Sequence, residues 1–202
     1  MSQPLTEVYK FKLKNRAALA SVFVAFLLFS IKTTAWIYTD SVSLLSSIVD
    51  SFIDGIASLF NMIAIRYAMR PADKEHRFGH GKFEAISAFA QAIFIVMSAF
   101  FVLREAIERL VNPQPISDPW FGVFVIVISI GVTFLLVFYQ QYVIRQTNSI
   151  AIHADSTHYK MDLYLNLSVI ASIVLTYYYD MVYVDPIVGV LIIFYIIYTA
   201  FN

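Results

Sequence analysis

The sequence predicts an all-α fold, a bundle of six transmembrane helices with both termini on the cytoplasmic side. Three observations carry that expectation. Hydrophobic residues make up 59% of the 202 and charged residues only 14%, against roughly 25% charged in soluble domains. The mean hydropathy is +0.71, an excess of apolar surface that suits lipid better than a water-facing shell. The apolar residues also fall in long runs, and about 20 helical residues cross the hydrocarbon of a bilayer. A transmembrane β-barrel is a poor alternative, because these runs are too long and do not alternate.

Taken in order, residues 1–15 form a basic cytoplasmic arm with Lys10, Lys12 and Lys14, and Arg16 follows. This arm resembles the start of a signal peptide. No small-residue cleavage site follows, and the apolar run is too long, so it reads as a retained first span over 16–38. The second span covers 43–69, the third 82–111, the fourth 120–144, the fifth 149–178 and the sixth 184–201. Prolines in NPQPISDP (112–119) stop span three and start span four. The tyrosines of YYYDMVYVDP (177–186) suit an interfacial turn. Together the spans make a domain over 16–201, with a polar loop at 70–82.

Orientation follows from the basic residues. The arm, the flanks of the 70–82 loop (Arg66, Arg70, Lys74, Arg77, Lys82) and Arg145 lie on one side, whereas Asp40, Asp118, Asp180 and Asp185 lie on the other. The basic side is read as cytoplasmic. Arg104 and Arg109 run against the rule, but Glu105 and Glu108 can pair with them along the helix.

Two polar pairs interrupt the apolar spans. Asp50 and Asp54 stand four residues apart in span two, on one helical face and about 6 Å apart along the axis. His158 and Asp162 repeat that spacing in span five. Charges at membrane depth are costly and need a partner, a proton or an ion. Both pairs fall at overlapping depths, so neighbouring spans would bring three carboxylates and an imidazole together. That set suits a tetrahedral divalent ion of the Zn2+ type. Without the ion the carboxylates repel one another and take up protons, which is the chemical basis for metal/proton exchange. The competing reading is structural, with Asp50 held by Ser46, Ser47 or Ser51 and His158 held by a tyrosine such as Tyr159.

The loop RPADKEHRFGHGKFE places Asp73, His76 and His80 at spacings of three and four, close enough to surround one ion. Gly79 and Gly81 permit a tight bend around His80. The other reading is a solvated basic loop that sets topology. Lys82 and Glu84 either cap span three or meet a cytoplasmic partner. Lys32, deep in span one, either reaches toward a headgroup or pairs inside the bundle. His153 and Asp155 either line the approach to the site or belong to a solvated helix end. Asn61 either lines the site or makes a helix contact. Gly55, Ala57 and Ser58, and Gly122, Gly131 and Gly189 elsewhere, allow helices to come close.

Several functions are excluded. Cysteine is absent, which removes disulfides, thiolate metal sites and cysteine nucleophiles. A net charge of zero gives no basic surface for nucleic acid. There is no Gly-rich nucleotide loop, so no nucleotide partner is expected. The chain reads as a transporter and not an enzyme.

The stretches VDSFIDGIASLFN, RPADKEHRFGHGKFEAISAFAQ and ADSTHYKMDLYLN resemble the cation diffusion facilitator family, most closely its bacterial ferrous-iron/zinc efflux branch. The resemblance runs over essentially the whole chain. It implies that Asp50, Asp54, His158 and Asp162 form the transport site and that Asp73, His76 and His80 form a loop site. It implies Zn2+ as substrate, with Cd2+ and Fe2+ as further candidates, protons as counter-substrate, and a homodimer in the bacterial inner membrane. It also implies a C-terminal cytoplasmic ferredoxin-like domain, which this sequence lacks, and an acidic partner on that domain for Lys82. The expected activity is export of divalent cations by alternating access. The alternative from another class is a membrane metal sensor or assembly partner that does not transport.

Overall fold

The structure, a computed structural model, describes residues 7–39, 42–111, 119–179 and 191. Five helices run in sequence: α1 (Glu7–Thr39), α2 (Val42–Ala68), α3 (Lys82–Val111), α4 (Pro119–Thr147) and α5 (Ile150–Tyr179). The helical class and the first five apolar segments agree with expectation. The chain is a multi-pass membrane protein.

The six-span expectation needs correction. Among the described residues there are five helices, and four contain a stretch long and apolar enough to cross a membrane: Glu7–Tyr38, Ser47–Ala68, Lys82–Phe101 and Gly122–Thr147. The fifth, α5, has the length, but its first half carries His153, Asp155, His158, Lys160 and Asp162. These residues dilute its apolar character. The segment 184–201 and the acidic residues Asp40, Asp118, Asp180 and Asp185 lie outside the described residues. The first helix also starts earlier than position 16. Glu7 and Lys10 pair at 2.8 Å across one turn, so the basic arm continues the helix.

The helices form a ring. α1 packs against α2 and α4, α4 against α5, α5 against α3, and α3 against α2. α2 and α5 also touch across the middle, less extensively than they touch their ring neighbours. Small side chains allow the approach. Ala17, Ala18, Ala57, Ser58 and Ala151 are fully buried, and a Cβ on Gly55 would meet that of Ala25 at 3.9 Å. Among the described residues no such approach is made at Gly122 or Gly131, where a Cβ would meet nothing within 4 Å. Large apolar side chains such as Phe23, Phe26, Leu135 and Phe138 instead point outward, as lipid-facing residues should.

At one end of the bundle lie the starts of α1, α3 and α5, the end of α2 and the 70–82 loop. Here Asn148, at a φ of 50°, ends α4, and its N–H donates to Ile144 O at 2.8 Å. Ser149 then caps α5, its Oγ accepting from Ile152 N at 3.4 Å. Glu84 joins three parts of this end. It pairs with Lys14 of α1 at 3.0 Å and accepts a short hydrogen bond from the Ser149 hydroxyl. Glu84 thus pairs inside the bundle, while Lys82 is exposed. Glu84→Ala is expected to lower stability by about 1–3 kcal/mol, because it strands a half-buried ammonium and a capping hydroxyl. Thermal unfolding in detergent would show this as a lower midpoint, and an unchanged midpoint would contradict it.

Candidate metal centre

The contact between α2 and α5 holds the first candidate site. His158 Nε2 and Asp54 Oδ1 lie 2.8 Å apart, and ligand atoms of Asp54, His158 and Asp162 all fall within 4.8 Å of one another. The i,i+4 spacing on α5 turns His158 and Asp162 to one face, and that face meets Asp54 across the ring. His158 is 1% exposed as a side chain and Asp54 16%. An imidazole and two carboxylates therefore converge in an apolar bundle, where they are screened less than on an open surface.

Asp50 stands apart from this cluster. It lies one turn earlier on α2 and is exposed, though it remains within electrostatic range of Asp162. Two groups of the structural alternative, Ser51 and Tyr159, have hydrogen-bond partners of their own. Ser51 Oγ accepts from Lys32 Nζ at 2.8 Å. The Tyr159 hydroxyl donates to Ser21 O at 3.1 Å and shares a 2.8 Å hydrogen bond with Ser58 Oγ, so it does not hold His158.

One helical turn before His158, the structure separates His153 from Asp155. His153 is exposed, whereas Asp155 is 0% exposed. Asp155 Oδ2 accepts from Ser21 Oγ at 2.6 Å and Gln140 Nε2 at 2.8 Å. Its Oδ1 accepts from Gln91 Nε2 at 3.2 Å. These donors come from α1, α4 and α3, so a single carboxylate on α5 ties four helices together. Next to it, Asn61 is fully buried and accepts from Ser87 Oγ at 2.7 Å, which makes it a contact between α2 and α3. Sequence reasoning missed Ser21, Gln91 and Gln140. The available signal was an uncharged polar residue within an apolar run, and that alone does not say where the residue points.

The 70–82 loop holds the second candidate. Asp73, His76 and His80 converge, but on a bend and not on a helical turn. Asp73 Oδ1 accepts the backbone N–H of His76 at 2.6 Å and of Glu75 at 3.0 Å. Gly79 takes a φ of 78°, which a side chain would disfavour, and brings His80 back toward Asp73. His76 Nδ1 and His80 Nε2 each lie 3.4 Å from an Asp73 oxygen. Ligands about 2.0–2.1 Å from a tetrahedral Zn2+ are about 3.3 Å apart, so the separations fit such an ion. Glu75 is not part of the cluster. The site is also less exposed than expected, since His80 is buried edge-on against Tyr67, ring centroids 4.9 Å apart. Both His80 ring nitrogens lack a hydrogen-bond partner among the described residues.

The backbone N–H of His76 holds the Asp73 carboxyl below the usual carboxylate range. A lowered folded-state value means that ionised Asp73 supports the turn above the unfolded value of about 3.9. That support is lost as the pH falls through the lower folded value. The amide resonances of Glu75 and His76 should therefore change with Asp73 protonation only below about pH 3.9. A transition in those resonances at pH 5 with an Asp73 side-chain origin would contradict the assignment.

Comparison with known proteins places these features in a family. A family model described as the cation efflux transmembrane domain matches residues 18–202. Among curated proteins, the cation-efflux pump FieF of Shewanella oneidensis is 46% identical over 197 residues, covering 98% of this chain and 66% of that protein. The protein of the same name from Cronobacter sakazakii is 44% identical over 167 residues, covering 83% of this chain and 56% of the relative. That of Escherichia fergusonii is 43% identical over the same shares. The chain thus spans between about half and two thirds of the length of these relatives.

Proposed function

Because the chain belongs to the cation efflux family, we propose that it exports divalent metal, Zn2+ foremost, from the cytoplasm in exchange for protons. The observation that carries this reading is the 2.8 Å approach of His158 Nε2 to Asp54 Oδ1 between two apolar helices, with Asp162 beside them. The ligand types suit Zn2+, and Cd2+ and Fe2+ remain candidate substrates. Asp50, one turn along α2, is the proposed fourth ligand.

The chemistry of exchange follows from the donors themselves. The lone pairs of Asp54, Asp162 and His158 serve either protons or a metal ion. In the structure Asp54 and His158 hold one another through a hydrogen bond, an arrangement that needs a proton between them. A metal must displace that proton and spread the two ligand atoms to about 3.3 Å. Loading at the cytoplasmic face and proton-driven expulsion at the far face, by alternating access, then couple the two fluxes. The sparse contact between α2 and α5 suits this motion, because the two halves of the site can part while the ring contacts persist. The loop residues Asp73, His76 and His80 bind a second ion near the cytoplasmic face. Homodimerisation and a location in the bacterial inner membrane complete the proposal.

The test uses the chain in sealed vesicles with a zinc-sensitive dye inside and an imposed pH gradient. Zinc uptake should follow the gradient and collapse when an ionophore dissipates it. Metal binding without flux would overturn the transport reading in favour of a metal sensor.

A further inference from the structure

Lys32 is the only basic residue between Arg16 and Arg66, and it does not reach out of the bundle. Its ammonium donates to Ser51 Oγ at 2.8 Å and to Ser47 O at 3.3 Å. Both acceptors belong to α2, the helix that carries Asp50 and Asp54, and Ser51 lies between those two aspartates in sequence. Ser51 is 2% exposed, so the tether sits inside the protein. Lys32 and Asp50 are both within electrostatic range of Asp162 on the facing helix. A fixed cation is thus anchored beside the carboxylates, through neutral groups that leave its charge uncompensated by the anchor itself.

The charge of the loaded site explains why a cation belongs there. Zn2+ with Asp50, Asp54, Asp162 and a neutral His158 leaves a net charge of minus one in an apolar bundle. An excess charge at that depth is costly. The Lys32 ammonium brings the sum to zero. The same ammonium stabilises the empty site, with its three carboxylates, more than the loaded site at minus one, and so lowers the affinity for a divalent ion. Asp155 does not claim this cation, because its carboxylate is satisfied by Ser21, Gln91 and Gln140.

We infer that Lys32 is the internal counter-cation of the metal site: from its anchor on Ser51 it neutralises the loaded site and limits its affinity for divalent metal, so that the metal can leave. The inference rests on the proposed transport site and adds a residue outside the metal ligands that sets its affinity.

The test measures Zn2+ affinity of the purified chain in nanodiscs by dye competition at alkaline pH, where protons compete least. Lys32→Met and Lys32→Gln should both bind Zn2+ at least about tenfold tighter while passing it more slowly in vesicles. Lys32→Arg should restore both values. A merely structural lysine would behave oppositely, since its loss would loosen the site and weaken binding. The glutamine variant keeps a donor for Ser51 and guards against a folding defect in the methionine variant. Asp54→Ala, measured alongside, separates the two readings. If it leaves wild-type affinity unchanged, the site itself is misassigned. If it weakens binding while the Lys32 variants bind no tighter than wild type, only the counter-cation inference falls.

Discussion

Asp54→Ala is expected to cut proton-driven Zn2+ flux by about 100-fold or more while leaving the bundle folded. Asp54 is the α2 member of the cluster, and its carboxylate reaches His158 at 2.8 Å. Loss of an outer-shell partner alone typically costs 10–100-fold in metal affinity, and loss of a ligand should cost at least as much. The alanine removes the hydrogen bond that ties α2 to His158, yet the ring contacts of α2 with α1 and α3 remain. Flux in dye-loaded vesicles reads the first effect, and circular dichroism with gel filtration reads the second. Full flux in a folded variant would sink the assignment. The companion His158→Asp should keep transport but move preference away from Zn2+ toward harder, oxygen-seeking ions such as Mn2+, because it replaces the only nitrogen ligand.

The second large effect is expected on stability. Asp155→Ala removes the acceptor for Ser21, Gln140 and Gln91 at once. Ser21 Oγ can still donate to Ala17 O, and the Gln91 and Gln140 amides each keep one acceptor, Ala57 O and Ser21 Oγ, so the groups left short of a partner set an expected loss of about 2–3 kcal/mol. It should appear as a strongly lowered unfolding midpoint in detergent and as poor recovery from the membrane. Asp155→Asn should be milder, because its amide oxygen still accepts while its amide nitrogen faces donors. Near-normal stability of the alanine variant would show that the four-helix junction is not held by this carboxylate. The two predictions separate function from architecture on two facing helices, α2 and α5. Changes at Asp155 should be read first in stability, changes at Asp54 in flux.

Legibility from sequence varied with the kind of feature. The helical class and the positions of the first five segments follow from long apolar runs, since a backbone in lipid must satisfy its own hydrogen bonds. The triad Asp73–His76–His80 was legible because all three residues are close in the chain. Half of the membrane cluster was legible for the same reason: i,i+4 spacing alone puts His158 and Asp162 on one face. Other features were less accessible. Lys32 and Asp155 are both charged residues in or beside apolar runs, and spacing could not decide whether either faced lipid, water or the interior. The structure turns both inward, Lys32 onto Ser51 and Asp155 onto three neutral donors. Six spans were too many for the described residues, because α5 carries several charged and polar groups in its first half and is less apolar than its length suggests.

Composition and spacing along the chain suffice to specify a helical membrane protein with two polar pairs at helical spacing and a histidine-containing loop. Those properties depend on local periodicity and on the transfer of side chains to lipid, which neighbours in the chain suffice to specify. The packing of the helices is what brings Asp54 to His158, leaves Asp50 outside their cluster and makes Asp155 join α1, α3, α4 and α5. These depend on how each helix is rotated about its axis in the ring. That rotation is set by close packing of small residues such as Ala17, Ala57 and Ala151 and by hydrogen bonds between residues far apart in sequence, neither of which local pattern encodes.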